Sequence, residues 1–176
     1  MNEYKLVFTG TTGAGKTTAI KAVSETDIVQ TDVKNTDASF KKLKTTVGLD
    51  FGLLQLPDGD RLRLFGTPGQ ERFNFMWKIL IKDAFGLIIL IDNSRPDPIA
   101  DLQVYLEAFK EELLTTPCVI GIGRSKENPF PDVDNFTEKL AENDLVFPII
   151  SVDVREKDDV AMLIEIILAQ VESDFE

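Results

Sequence analysis

The sequence predicts an α/β domain, a mostly parallel sheet of six apolar strands with helices on both faces, occupying residues 1–176 as a single domain. Three observations predict it. Strand-like and helix-like segments alternate from end to end, the strands read as near-continuous apolar runs of the kind buried on both faces, and one strand pair is joined by a hairpin turn. A chain of 176 residues is long enough to bury a full core without disulfides or metal staples.

Taken in order, Lys5-Leu6-Val7-Phe8-Thr9 is a short apolar strand, and a glycine-rich turn leads from it into a helix over about 16–24. Residues 25–46 are polar and without periodicity, and a stretch of that length in a compact domain is usually functional. Strands over 49–56 and 61–65 flank the turn-type sequence Pro57-Asp58-Gly59-Asp60. A helix over roughly 72–82 precedes the apolar run Phe85 to Ile91, which is rich in β-branched residues, too short to span a bilayer, and therefore a buried central strand. Ile99, Leu102, Leu106, Phe109 and Leu113 mark an amphipathic helix. A strand over 117–123, a short helix over 134–143, a strand over 147–152 and a final amphipathic helix over 160–171 complete the series.

Composition excludes several classes. The net charge is −11, from 30 acidic against 19 basic side chains, which disfavours nonspecific nucleic-acid binding and docking on an anionic membrane. There is no histidine, so neither histidine base catalysis nor a histidine-ligated metal applies. The single cysteine, Cys118, has no partner in the chain, in keeping with a cytoplasmic protein. Neither a signal peptide nor a lipidation motif is read at the ends, so no direct membrane anchor is expected.

Gly10-Thr11-Thr12-Gly13-Ala14-Gly15-Lys16-Thr17 fits G-x-x-x-x-G-K-[ST], and each position has a physical rationale. The glycines let the backbone fold tightly, so that successive N–H groups point at a phosphate. The helix beginning near Lys16 adds its positive end. Lys16 supplies a cation for the β- and γ-phosphates, and the Thr17 hydroxyl suits Mg²⁺. The motif follows a predicted strand and opens a predicted helix, which is the context it requires.

Further along, Gly66-Thr67-Pro68-Gly69-Gln70-Glu71-Arg72-Phe73 ends a strand where a γ-phosphate would lie. Gly69 is placed to offer its N–H, and Gln70 to orient an attacking water, since phosphoryl transfer needs positioning more than a strong base. Thr46, in Thr45-Thr46-Val47-Gly48-Leu49-Asp50-Phe51, is placed to complete a Mg²⁺ shell. Two loops tied to one γ-phosphate and released on its loss make a switch.

The order P-loop, T-x-G-x-D-F and P-G-Q-E-R-F resembles the Ras/Rab/Arf superfamily of small GTPases. The run from Phe65 to Trp77 is similar to bacterial members, the MglA-like and conservon-type (CvnD-like) GTPases. The resemblance covers nearly the whole chain and is strongest over 5–18 and 45–95. It implies the Ras-like fold, Mg²⁺ as cofactor, and GTP and GDP as substrate and product. Hydrolysis would be slow without an activating protein. Switch loops at about 30–50 and 66–78 would signal to protein effectors, with a roadblock/LC7-domain protein as regulator. Carried over residue by residue, Gln70, Lys16 and Thr46 are the catalytic set, and Thr17 and Thr46 hold the metal. Gly10, Thr12, Gly13, Ala14, Gly15, Lys16, Thr17, Thr18 and Gly69 bind phosphates, while Arg124, Ser125, Asp153 and Val154 meet the base.

Three departures bear on that reading. The family's Mg²⁺-holding aspartate is Gly66 here, so either Thr17, Thr46 and waters suffice, or Asp92 or Asp50 substitutes. The base motif N-K-x-D is replaced by Gly123-Arg124-Ser125-Lys126, which puts a lysine where the guanine-reading acid belongs; Glu127 reaches the guanine edge only if the loop is shifted. Thr12 stands where Ras-type proteins carry glycine, and its β-branch would crowd the transition state.

Phe73 and Ile79 are expected to pack a helix on the sheet. The consecutive Met76 and Trp77 cannot both face one core, so at least one is expected to meet a partner. Asp97 reads as a helix cap, and Asp92 as a cap or a metal-site acid. Lys41, Lys42 and Lys44 either dock an acidic partner or are solvated. Beside the GTP switch stands a second reading, a nucleotide-binding scaffold for GTP or ATP with little turnover. A small-molecule phosphotransferase is disfavoured because no basic lid is evident.

Overall fold

The computed structural model describes residues 1–26, 29–34 and 46–174 and, at 29–34 and 46–48, the backbone alone. The strands are β1 (Glu3–Gly10), β2 (Val29–Lys34), β3 (Thr46–Gln55), β4 (Arg61–Gly66), β5 (Gly86–Asp92), β6 (Cys118–Gly123) and β7 (Ile149–Ser151). The helices are α1 (Lys16–Val23), α2 (Asn74–Ile81), α3 (Pro98–Ala108), α4 (Val133–Glu142) and α5 (Lys157–Ser173), with a 3-10 turn at Glu71–Phe73 leading into α2. The sheet order is β2-β3-β4-β1-β5-β6-β7. Strands β4, β1, β5, β6 and β7 run parallel, β3 runs antiparallel to β4, and β2 antiparallel to β3. The six expected strands are all present with helices on both faces. The seventh, β2, lies at the edge, inside the stretch that lacks apolar periodicity.

Strand β5 shows why the sheet sits where it does. Every residue of it is buried, and its side chains alternate between two cores. Ile88 and Leu90 join Ile20 of α1 and Leu163 and Ile167 of α5, whereas Leu87, Ile89 and Ile91 join Trp77, Tyr105 and Phe136 from α2, α3 and α4. Full burial of each such side chain stabilises by roughly 1.5–3 kcal/mol, so this strand anchors both layers. The helices are started locally. The Asp97 carboxylate accepts from Ala100 N at 3.0 Å with Pro98 in the first turn, and Asp132 and Asn135 form a capping box on α4. Asp97 is thus the cap its sequence context predicts.

Helix α2 corrects two expectations. Met76 and Trp77 are both buried, at 9% and 1% exposure, while Ile79, expected inside, is 62% exposed. The helix lies in a corner between two apolar surfaces. Trp77 packs on Tyr105 and Phe109, with ring centroids 5.0 and 6.1 Å away, and Met76 enters a separate small cluster with Leu49 and Leu80. Adjacent positions therefore both find a core, and Ile79 is left facing out. Phe73 is half-buried against the smaller cluster, and Phe75 is exposed. Among the described residues no helix is long and apolar enough to cross a membrane. Lys41, Lys42 and Lys44 lie outside the described residues.

Candidate functional site

A cleft of about 900 Å³ opens at the carboxyl ends of the parallel strands, a position dictated by the βα connections there. Its walls are the phosphate loop with the start of α1, Asp50, the Thr67–Gly69 segment, the loop after β6 and the loop after β7. Of the predicted site residues, the cleft brings together Thr12 through Thr18, Gly69, Arg124, Ser125, Asp153 and Val154. Gly10, which is buried, and Gln70, which is exposed, are not among its walls. Thr46 opens β3, and its hydroxyl lies outside the described residues.

The phosphate loop is held by geometry that only glycine permits. Gly15 has φ 99°, and a Cβ there would meet Val154 Cγ2 at 2.6 Å. Helix α1 starts directly after it with no side-chain cap, so its first-turn N–H groups look for an acceptor outside the helix. Lys16 Nζ donates to the carbonyls of Gly10 and Thr11 at 2.6 and 2.8 Å. Burial lowers its pKa from 10.5 to about 8, partly opposed by the negative charge of Asp50. A cation desolvated in this way gains from an anionic ligand. The Thr17 hydroxyl donates to Asp50 Oδ2.

The loop after β4 is tied to its surroundings. Thr67 N donates to Phe8 O at 2.9 Å, and the Thr67 and Thr9 hydroxyls share a buried hydrogen bond of 2.8 Å. Trp77 Nε1 donates to Pro68 O at 2.7 Å. Gly69 packs on Thr12 so closely that a Cβ would lie 2.5 Å from Thr12 N.

At the opposite end, Arg124 has a left-handed backbone, φ 57°, and its Nη1 donates to Asp92 Oδ2 at 2.6 Å and to Gly13 O at 3.2 Å. The other Asp92 oxygen accepts from Ser94 N and Oγ at 2.9 and 2.6 Å. Burial opposes ionisation of Asp92, but the Ser94 and Arg124 hydrogen bonds outweigh it and hold the carboxyl below the usual range. Asp92 is therefore both turn-former and anchor for Arg124. Asn93 Nδ2 donates to Asn128 O and Pro131 O, fixing the far end of the same loop. Asp153 is committed to Arg155, whose Nε and Nη2 reach it at 2.9 and 2.7 Å; the guanidinium and the Arg155 N–H bring its carboxyl down to about 2. Lys126 and Glu127 line the cleft beside it.

Sequence reasoning missed the Trp77–Pro68 tether, the Arg124–Asp92–Gly13 lock and the contact of Val154 with Gly15. The first spans nine positions across a turn and the other two join residues distant in sequence, and no local pattern announces any of them. Among the described residues no group of three or more His, Cys, Asp or Glu gathers to hold a metal ion. The oxygens at hand beside the phosphate loop are those of Thr17 and Asp50, hard donors of the kind that suit Mg²⁺.

No family model matches the chain. The Ras-related protein Rab-7L1 of Rattus norvegicus is 26% identical over 149 residues, which cover 77% of this chain and 68% of that protein. ADP-ribosylation factor-related protein 1 of Homo sapiens is 27% identical over 121 residues, or 69% of this chain and 56% of that protein. Among solved structures, the G domain of the T. maritima FeoB iron transporter matches with a TM-score of 0.68 at 18% identity, covering 96% of this chain and 98% of that one. Bacterial selenocysteine-specific elongation factor EF-Sec matches with a TM-score of 0.67 at 21% identity, over 97% of this chain and 29% of that one. At these identities the structural matches speak for the fold.

Proposed function

Starting from a chain that fits the Ras-like small GTPase superfamily in sequence and fold, we propose a Mg²⁺-dependent switch that binds and hydrolyses GTP. The observation that carries this reading is the uncapped start of α1, reached through the bend at Gly15, with the Lys16 ammonium buried in that bend. It is a cationic cradle shaped for phosphate. The Thr17 hydroxyl, with Asp50 behind it, would hold Mg²⁺, joined by Thr46. When bound, the ion would neutralise charge on the β- and γ-phosphate oxygens. Lys16 orients those phosphates, Gly69 offers its N–H to the terminal one, and Gln70 orients the attacking water. Because Gln70 is exposed outside the cleft walls, that role requires Gln70 to turn inward around a bound γ-phosphate. Slow intrinsic turnover fits such a requirement.

The same loops, about 30–50 and 66–78, would report nucleotide state to effector proteins. A roadblock/LC7-domain regulator, the MglA-like subtype and a cytoplasmic setting belong to the same proposal and rest on the sequence resemblance. The guanine preference rests on the relatives too, with the Val154 N–H and the stem of Arg124 as its support within the chain.

Single-turnover hydrolysis of GTP by the wild type and by Gln70→Ala tests the reading. Loss of about tenfold or more in rate is expected, and equal rates would remove Gln70 from the mechanism. A second reading, a scaffold binding GTP or ATP with little turnover, is favoured by the engagement of Asp153 with Arg155 and by Lys126 at the base end. Side-by-side GDP and ADP affinities decide between them on base preference, because equal affinities would end the guanine reading.

A further inference from the structure

Strands β3 and β4 are paired antiparallel with Asp50 directly opposite Gly66. Directly opposed residues share one face of the sheet, their Cβ atoms about 5 Å apart. Here the space over Gly66 is already filled. A Cβ at Gly66 would come 3.2 Å from Asp50 Cβ and 3.3 Å from Asp50 Oδ2. The same Oδ2 accepts from the Thr17 hydroxyl, and Asp50 lines the cleft. The Ras-like pattern has its metal-holding acid at position 66, so the acid missing from β4 has a counterpart one strand over, hydrogen-bonded to the Thr17 hydroxyl. Asp92, the other candidate, has both oxygens engaged by Ser94 and Arg124.

We propose that Asp50 is the positioning residue of the Mg²⁺ site, that it acts through the Thr17 hydroxyl, and that Gly66 is glycine because Asp50 occupies its space. The proposal rests on the phosphate-binding reading above and adds to it the origin of the acid. By donating its proton to Asp50, Thr17 is left with its lone pairs turned toward the cleft, and the carboxylate adds negative charge behind it. Two ionised carboxylates at 50 and 66 would crowd and repel each other, so the site has room for one.

The test is an exchange of the two positions, read by release of a fluorescent GDP in Mg²⁺ and in EDTA. In the wild type, Mg²⁺ slows release relative to EDTA. In Asp50→Asn that slowing, taken as the ratio of the rates in EDTA and in Mg²⁺, falls by about 10–100-fold, the usual cost of removing a partner that orients a metal ligand, and the rate in EDTA changes by much less than the rate in Mg²⁺. The double variant Asp50→Gly with Gly66→Asp recovers most of the slowing. Mn²⁺ affinity of the GDP-loaded proteins, read by electron paramagnetic resonance, follows the same order, and Asp50→Ser serves as the second variant with thermal melts checking the fold of each. Full slowing in folded Asp50→Asn, an equal loss in Mg²⁺ and EDTA, or a folded double variant without recovery would each overturn the proposal. If the wild type releases GDP equally fast in Mg²⁺ and EDTA, or does not bind it, the failure lies in the phosphate-binding reading itself, and the proposal falls with it.

Discussion

Lys16 is buried, and its response to pH is calculable. Its two hydrogen-bond partners are carbonyls, and burial takes its pKa from 10.5 to about 8. In the unfolded chain the side chain titrates at the ordinary value, so between those two values the unfolded state binds the proton that the folded state has lost. Stability then rises with pH. The destabilisation from Lys16 is fully present below pH 8 and is relieved as pH climbs from about 8 to 10.5. At about 1.4 kcal/mol for each tenfold change, the full effect is about 3 kcal/mol, and about 2–3 kcal/mol is recovered by pH 10. Lys16→Met keeps the aliphatic stem and removes the charge. Urea unfolding of nucleotide-free wild type and variant at several values between pH 7 and pH 10 isolates the term. The wild type should gain on the variant across that interval by about 2–3 kcal/mol, because other titrating groups cancel in the difference. A bound phosphate keeps Lys16 protonated, so nucleotide binding above pH 8 should take up a proton, seen as a buffer-dependent heat. A stability difference that stays flat from pH 7 to pH 10 would refute the desolvation of Lys16.

Other outcomes follow from particular contacts. Trp77→Phe keeps a ring on Tyr105 but leaves Pro68 O without its donor, so it should cost about 1 kcal/mol in urea unfolding; Trp77→Ala should cost about 3–5 kcal/mol. Gly15→Ala meets both a left-handed φ and Val154 Cγ2, so nucleotide affinity should fall more than about tenfold, and adding Val154→Ala should restore only part because the backbone strain of about 1–3 kcal/mol persists. Arg124→Ala releases Gly13 and leaves Asp92 without its partner, so stopped-flow nucleotide release should quicken severalfold while Arg124→Lys retains part of the lock. Ile79→Ser should leave stability within about 0.5 kcal/mol because that side chain faces outward, whereas Met76→Ser should cost several times more.

The phosphate loop was legible in the sequence because its geometry is made by the main chain, and glycine spacing is a direct record of main-chain geometry. The central strands were legible for a similar reason, since burial on both faces leaves an unbroken apolar run such as Leu87 to Ile91. Strand β2 was not, because an edge strand is held by one ladder of backbone bonds and needs no apolar run. Met76 and Trp77 misled because periodicity assumes a single core, and α2 touches two. Asp50 was only one of two candidate substitutes for the missing acid until the β3–β4 register placed it against Gly66, a fact about pairing rather than composition. The base end was the least legible. Arg124 reaches Gly13, 111 positions away, and nothing near Arg124 in the chain foretells that acceptor.

The bond from Trp77 to Pro68 has a spectroscopic consequence. Trp77 is the only tryptophan in the chain, and its indole N–H ends on the segment that leads to Gln70. Excitation near the red edge of protein absorbance therefore addresses one chromophore, wedged between Tyr105 and Phe109 and wired to the loop expected to move. Indole emission depends on the hydrogen bond at its nitrogen, so the unlabelled protein reports its own loop in real time. No dye need be attached, and the signal comes from a residue that belongs to the core.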